Sequence, residues 1–176
     1  MNAAQFLIDT SALARLMRPD AESYGWDRAA AAGLIAVCPI TELEFFYSAR
    51  SAVDRERGIE HMRSLLGWVP VDDRAYDWAW EIQGEFTRRG RHRSAGPVDL
   101  LIAATAELQG LTLLHRDHDF DCIAAVSGQD PAALVLGCRS HRSLSSVALI
   151  LWRKSSLASR SSSSQSRRTF QPAAMA

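Results

Sequence analysis

Five short apolar runs, at residues 5–8, 34–38, 68–71, 111–115 and 132–136, alternate along the chain with longer stretches whose apolar residues recur at helical spacing. Runs this short suit strands buried on both faces. Helices between them suit crossover connections, so the pattern predicts βαβ units and a mainly parallel sheet covered on both sides. Helices are expected over 11–17, 22–32, 41–50, 53–66, 74–88, 98–109 and 120–126. Gly33, Pro39, Gly67, Gly90, Gly96, Pro97, Gly110 and Gly128 fall at the joints, where such a chain must turn. The fold class is α/β, and in open sheets of this class ligands gather at the carboxyl ends of the strands.

At 176 residues, 47% of them hydrophobic and 23% charged, the chain has the make-up of one soluble domain with an appendage. Its apolar runs fall well short of the roughly 20 residues that a membrane-spanning helix requires. The beginning, M-N-A-A-Q-F-L-I-D, lacks the positive start and long apolar segment of a secretory signal, so a cytoplasmic protein is expected. Cys38, Cys122 and Cys138 are widely spaced with no C-x-x-C pair, which predicts neither a disulfide framework nor a zinc site. All 20 acids fall at or before Asp130, together with 13 of the 20 basic residues, so this portion carries a net −7 and the remainder +7. An acidic body argues against a broad basic platform for polyanions. From about residue 139 the composition turns to serine and arginine, too polar to offset the entropy of ordering, and disorder is expected there.

Four places set carboxylates among apolar residues. Asp9 ends the first run; Glu42 and Glu44 lie in P-I-T-E-L-E-F-F-Y-S-A-R; Asp99 lies in G-P-V-D-L-L-I-A-A-T-A; Asp117, Asp119 and Asp121 lie in L-L-H-R-D-H-D-F-D. Each has a purely structural reading. Asp9 and Asp117 can cap the helices that follow them, and Asp99 can favour the positive end of its helix. Asp99 shares a helix side with Ile102, Ala103 and Ala106, however, which aims its carboxylate into protein, where an ionised group needs a cation or donors. Carboxylates converging at the strand ends would raise one another's pKa, whereas a divalent cation would keep them ionised, and hard oxygen ligands suit Mg2+ or Mn2+.

The motifs I-D-T-S-A-L, I-T-E-L-E-F-F-Y-S-A-R, P-V-D-L-L-I-A-A-T-A and T-L-L-H-R-D-H-D-F, in this order and spacing, resemble the PIN domain, in particular the VapC toxins of type II toxin-antitoxin pairs. The resemblance implies a three-layer αβα sandwich over residues 1–137, with 138–176 a Ser/Arg-rich tail that has no counterpart in the family. It implies a Mg2+-dependent endoribonuclease (Mn2+ as an alternative ion) in which a metal-activated water hydrolyses RNA phosphodiesters. Catalytic residues would be Asp9, Glu44, Asp99 and Asp117, and metal ligands Asp9, Asp99, Asp117 and Asp119. The choice of Glu44 over Glu42 rests on the resemblance, since on a helical wheel both border the Leu43, Phe46 and Tyr47 stripe. Ser48 stands where the family usually has glycine.

Arg91 and Arg93 in R-R-G-R-H-R, and Arg116, are candidate RNA-phosphate contacts; the loop reads equally as a solvated helix end. Ser11 could bond a ligand or water, or cap a helix. The basic tail is either a solvated extension or an RNA-binding arm. The implied partners are a cognate VapB-like antitoxin, an RNA such as tRNA or rRNA, and a second copy of the chain. Phe45, Phe46, Tyr47, Ile59, Met62 and Leu65 would either line an antitoxin groove or fill the core. A haloacid-dehalogenase-type phosphatase would need an aspartate where Ser11 stands, and a receiver domain a late lysine, yet the sole lysine is Lys154 in the tail. The remaining alternative is a catalytically silent PIN-like module that only binds a partner.

Overall fold

In the computed structural model of the protein, residues 4–18 and 26–128 are described. The run at 132–136, the tail at 138–176 and the first part of the helix expected at 22–32 lie outside the described residues.

The elements follow the expected alternation: β1 (Phe6–Ile8), α1 (Thr10–Leu16), α2 (Asp27–Ala31), β2 (Ile35–Val37), α3 (Pro39–Tyr47), α4 (Ala52–Leu65), β3 (Gly67–Trp68), α5 (Arg74–Arg88), α6 (Pro97–Leu108), β4 (Thr112–Leu114) and α7 (His118–Ser127). The four described strands form one parallel sheet in the order β3-β2-β1-β4. Successive strands step away from β1 in one direction, and β4 then returns to its other edge. The winding therefore reverses between β1 and β4, which makes that pair the switch point where this class of sheet opens a crevice.

Side chains alternate across each strand, so a three-residue strand feeds both faces. Phe6 and Ile8 join Ile35 and Val37 on one face, packed with Ala12, Leu13, Met62 and Leu66. Leu7 and Ala36 point to the other, among Val69, Phe86, Leu100, Ile102 and Ile123. The result is the expected three-layer αβα sandwich, with α1, α2 and α4 contributing to one core and α5, α6 and α7 to the other.

Two local features depart from the sequence pattern. Ladder pairing in β3 covers Gly67–Trp68 where 68–71 was expected; the Val69 N–H still donates to the Val37 carbonyl at 3.0 Å, but Pro70 has no N–H to continue. The apolar residues of α3 and α4 mostly serve the core: Met62 is fully buried, and Phe45, Phe46 and Leu65 pack partly buried against it. Tyr47, by contrast, is 93% exposed. Gly58 lets these two helices approach, since a Cβ there would fall 2.7 Å from Phe46 Cε1. Among the described residues no helix is long and apolar enough to cross a membrane.

Leu7 is fully buried at the centre of the sheet. Leu7→Ala is expected to lower unfolding free energy by about 2–5 kcal/mol, and Tyr47→Ala to change it by less than about 0.5 kcal/mol. Urea denaturation of the two variants checks this; a Tyr47 loss equal to that of Leu7 would contradict the core described here.

Candidate active site

The site begins where β1 ends. Ile8 and Leu114 are register partners, and the Asp9 N–H donates to the Leu114 carbonyl at 3.0 Å, the last rung between the two strands. Asp9 then turns its carboxylate onto α1 as an N-cap: Oδ2 accepts from the Ser11 N–H at 3.0 Å and Oδ1 from the Ala12 N–H at 2.9 Å. The residue is only 3% exposed. Burial pushes its pKa up, while the two N–H bonds, the Ser11 hydroxyl and the charge of His115 oppose the rise.

The next two side chains reach other segments. Thr10 Oγ1 donates to Glu44 Oε2 in a short hydrogen bond, and Ser11 Oγ accepts from the Arg116 N–H at 3.0 Å. Ser11 is therefore neither a cap nor a free hydroxyl; Asp9 does the capping, and Ser11 ties the loop after β4 to the start of α1. Glu44 is brought into place by α3, whose fully buried Thr41 donates through Oγ1 to the Ile8 carbonyl at 3.2 Å. That bond seats the first turn of α3 on the end of β1, and Glu44, three residues on, lies on the same helix side. It is Glu44, of the two glutamates, that meets Thr10.

Asp99 sits at the third position of α6, where its Oδ2 accepts from the Gly96 N–H at 3.0 Å. A Cβ at residue 96 would fall 3.0 Å from that oxygen, so glycine leaves room for the bond. Asp99 is half-buried, and its pKa is pushed up to about 6, by desolvation first and then by the negative charges of Asp119, Asp117 and Glu44, against the Gly96 bond. These four acids, from three helices distant in sequence, therefore share one electrostatic neighbourhood. Asp117 caps α7, accepting from the Asp119 N–H at 3.1 Å. Asp121 is engaged instead by His118, 3.0 Å away.

The arginines are placed unevenly. Arg91, Arg93 and Arg116 are all exposed, and an Arg91 guanidinium nitrogen lies 3.5 Å from Cys122 Sγ. Arg88 and Arg89, at the start of the same basic run, pair with Glu85. Two residues that sequence reasoning passed over belong to the site. Thr10 was hidden in D-T-S as an apparent helix start, and His115, in L-L-H-R-D, as the end of a strand. The available signal was their adjacency to Asp9 and Asp117.

Among the described residues no three His, Cys, Asp or Glu side chains are already arranged to hold a metal ion. The donor set nevertheless fits a hard divalent cation: it is all oxygen, and it carries uncompensated negative charge that lifts the proton affinity of Asp99.

A family model for the PIN domain matches residues 6–126 of the chain. The chain is 44% identical over 133 residues to Ribonuclease VapC2 of Mycobacterium tuberculosis (strain CDC 1551 / Oshkosh), covering 73% of this chain and 92% of that protein. It is 41% identical over 125 residues to Ribonuclease VapC21 of Mycobacterium tuberculosis (strain ATCC 25618 / H37Rv), covering 71% and 90%. Among solved structures, DNA-bound VapBC from Salmonella typhimurium is similar with a TM-score of 0.58 at 23% identity, over 70% of this chain and 95% of that one. FitAcB from Neisseria gonorrhoeae is similar with a TM-score of 0.55 at 21% identity, over 69% and 94%. These two likenesses concern the fold.

The raised pKa of Asp99 has a defined consequence in metal-free protein. Below the ordinary carboxylate value of 3.8 the group is protonated in both folded and unfolded chains; between there and about 6 the folded state holds the proton more tightly, and that stabilisation is lost as pH rises through about 6. Asp99→Asn is therefore expected to gain stability relative to the parent as pH goes from about 4 to about 7. Urea midpoints of both proteins in EDTA across this range check it, and a relative loss toward neutral pH would contradict the assignment.

Proposed function

The chain belongs to the PIN-domain family, and from that membership, its VapC relatives and the carboxylate cluster at the β1/β4 switch point we propose that it is the toxin of a type II toxin-antitoxin pair, acting as a metal-dependent endoribonuclease. The observation that carries the reading is the grouping of Asp99 with Asp117, Asp119 and Glu44, a mutually repulsive arrangement of carboxylates.

Asp9, Asp99 and Asp117, with Asp119, are the residues that would hold Mg2+ or Mn2+, and Glu44 completes the acidic set. When bound, the ion supplies Lewis-acid polarisation of the phosphodiester and lowers the pKa of a water. The chain's own contribution is placement. Backbone N–H groups fix both oxygens of Asp9 and one oxygen each of Asp99 and Asp117, and Thr10 holds Glu44. Single-stranded RNA, such as a tRNA or rRNA loop, suits the crevice because its backbone can approach without a rigid duplex. Exposed Arg116, directly before Asp117, and the exposed Arg91 and Arg93 would meet phosphates on an otherwise acidic surface.

A VapB-like antitoxin is the proposed regulator. Leu43 and Tyr47, four residues apart on α3 and 71% and 93% exposed, offer it an apolar strip on the helix that also carries Glu44. A second copy of the chain is the further partner this reading includes. The competing reading, a PIN-like module that binds a partner without catalysis, draws on the capping bonds, which give each aspartate a structural task.

Asp9→Asn and Asp99→Asn are each expected to lower Mg2+-dependent cleavage of single-stranded RNA by more than about 100-fold, beyond what loss of an outer-shell partner costs, and EDTA to abolish it. Gel assays on purified protein distinguish the readings: parent-level cleavage by both variants would refute the site, and no cleavage by the parent with Mg2+ or Mn2+ would favour the silent module.

A further inference from the structure

Among the described residues His115 is the one buried histidine, and the proposed chemistry does not employ it. It is 4% exposed at the end of β4, and burying an imidazole to this degree is costly unless its nitrogens find partners. Its Nδ1 lies 2.8 Å from the Asp117 carbonyl oxygen, its ring centroid 5.1 Å from that of Phe120 at a tilt of 51°, and it acts electrostatically on Asp9. A carbonyl only accepts, so this contact requires the tautomer with hydrogen on Nδ1.

We propose that His115 is a positioning residue of the carboxylate site, its Nδ1–H fixing the turn that presents Asp117. The proposal rests on the metal-dependent reading above. Several observations combine in it. The Leu114 carbonyl, immediately before His115, accepts from the Asp9 N–H, so the ring stands at the last rung between the strands. The Arg116 N–H, immediately after, is held by Ser11 Oγ. The segment 114–117 is thus secured at Leu114 and Arg116 by the D-T-S segment and at Asp117 by the imidazole. Phe120, one turn into α7, backs the ring and limits its rotation. Removing the Nδ1–H leaves the Asp117 carbonyl without this donor and releases the backbone that aims its carboxylate. Outer-shell contacts of this kind are typically worth about 10–100-fold in metal affinity or activity.

Two substitutions separate positioning from packing. In His115→Asn the side-chain amide can still donate to the Asp117 carbonyl, but the face against Phe120 is lost; in His115→Phe the packing is kept and the donor is lost. Binding of Mn2+ alone to the full chain, measured by electron paramagnetic resonance, is expected to weaken about 10–100-fold in His115→Phe and to stay within about 3-fold of the parent in His115→Asn. Urea stability is expected in the opposite order, with His115→Asn the weaker. With RNA substrate, the His115→Phe loss should fall in kcat at saturating metal less than in the metal requirement. If Mn2+ affinity follows stability across the pair, the residue is structural and the proposal is overturned. Nitrogen-15 NMR of the parent is a further check that needs no variant: an Nδ1 without hydrogen overturns it. A parent that binds no Mn2+ and cuts no RNA overturns the underlying nuclease reading, and this inference with it. A parent that does both while His115→Phe binds Mn2+ as tightly overturns the role of His115 alone.

Discussion

Parallel pairing of β1 with β4 is the constraint on which the rest of the structure depends. Because Ile8 lies opposite Leu114, the residues that follow, Asp9 and His115, emerge side by side at the carboxyl edge of the sheet. A slip of one residue would exchange the two faces of β1, turning Phe6 and Ile8 toward the wrong helices. The same hydrophobic alternation that fills both cores therefore sets the register of the site. No separate device is needed to set the start of α1 beside the segment that leads to Asp117.

The aspartates are held by the means that sequence reasoning treated as a competing explanation for them. Asp9, Asp99 and Asp117 each accept a backbone N–H at the start of a helix, and at Asp9 and Asp99 these bonds favour the ionised form. They do not suffice. Burial raises Asp9, and burial together with three neighbouring negative charges raises Asp99. Capping and cation binding are thus compatible roles for one carboxylate, since a bond to N–H occupies one lone pair and fixes the direction of the others. Helix starts converging at a switch point supply both the anchoring groups and the crowding of charge.

Much of this was legible in the chain. Period-two and helical patterning located the elements, because burial on two sheet faces and on one helix side leaves a direct trace in residue order. The misplaced β3 also had its cause in plain view, at Pro70. Less legible was which polar side chain meets which. D-T-S reads as an ordinary helix start, and nothing local tells that Thr10 finds Glu44 on α3 or that Ser11 holds the Arg116 N–H, contacts across 34 and 105 residues. The apolar residues of α3 and α4 posed a similar difficulty, since a helix turned by a fraction of a revolution exchanges core for surface; Met62 went inside and Tyr47 outside.

By itself, the sequence determined the α/β class and the alternation of layers, since these follow from hydrophobic periodicity, and it marked the acids at run ends and helix starts as candidates. Only the tertiary structure decided that Glu44 meets Thr10, that Asp99 feels Asp117 and Asp119, and that His115 lies buried between strand ends. Those outcomes depend on sheet order and on the angle at which α3 and α6 settle against it, and both are set by packing summed over the whole core, which no short stretch of residues encodes.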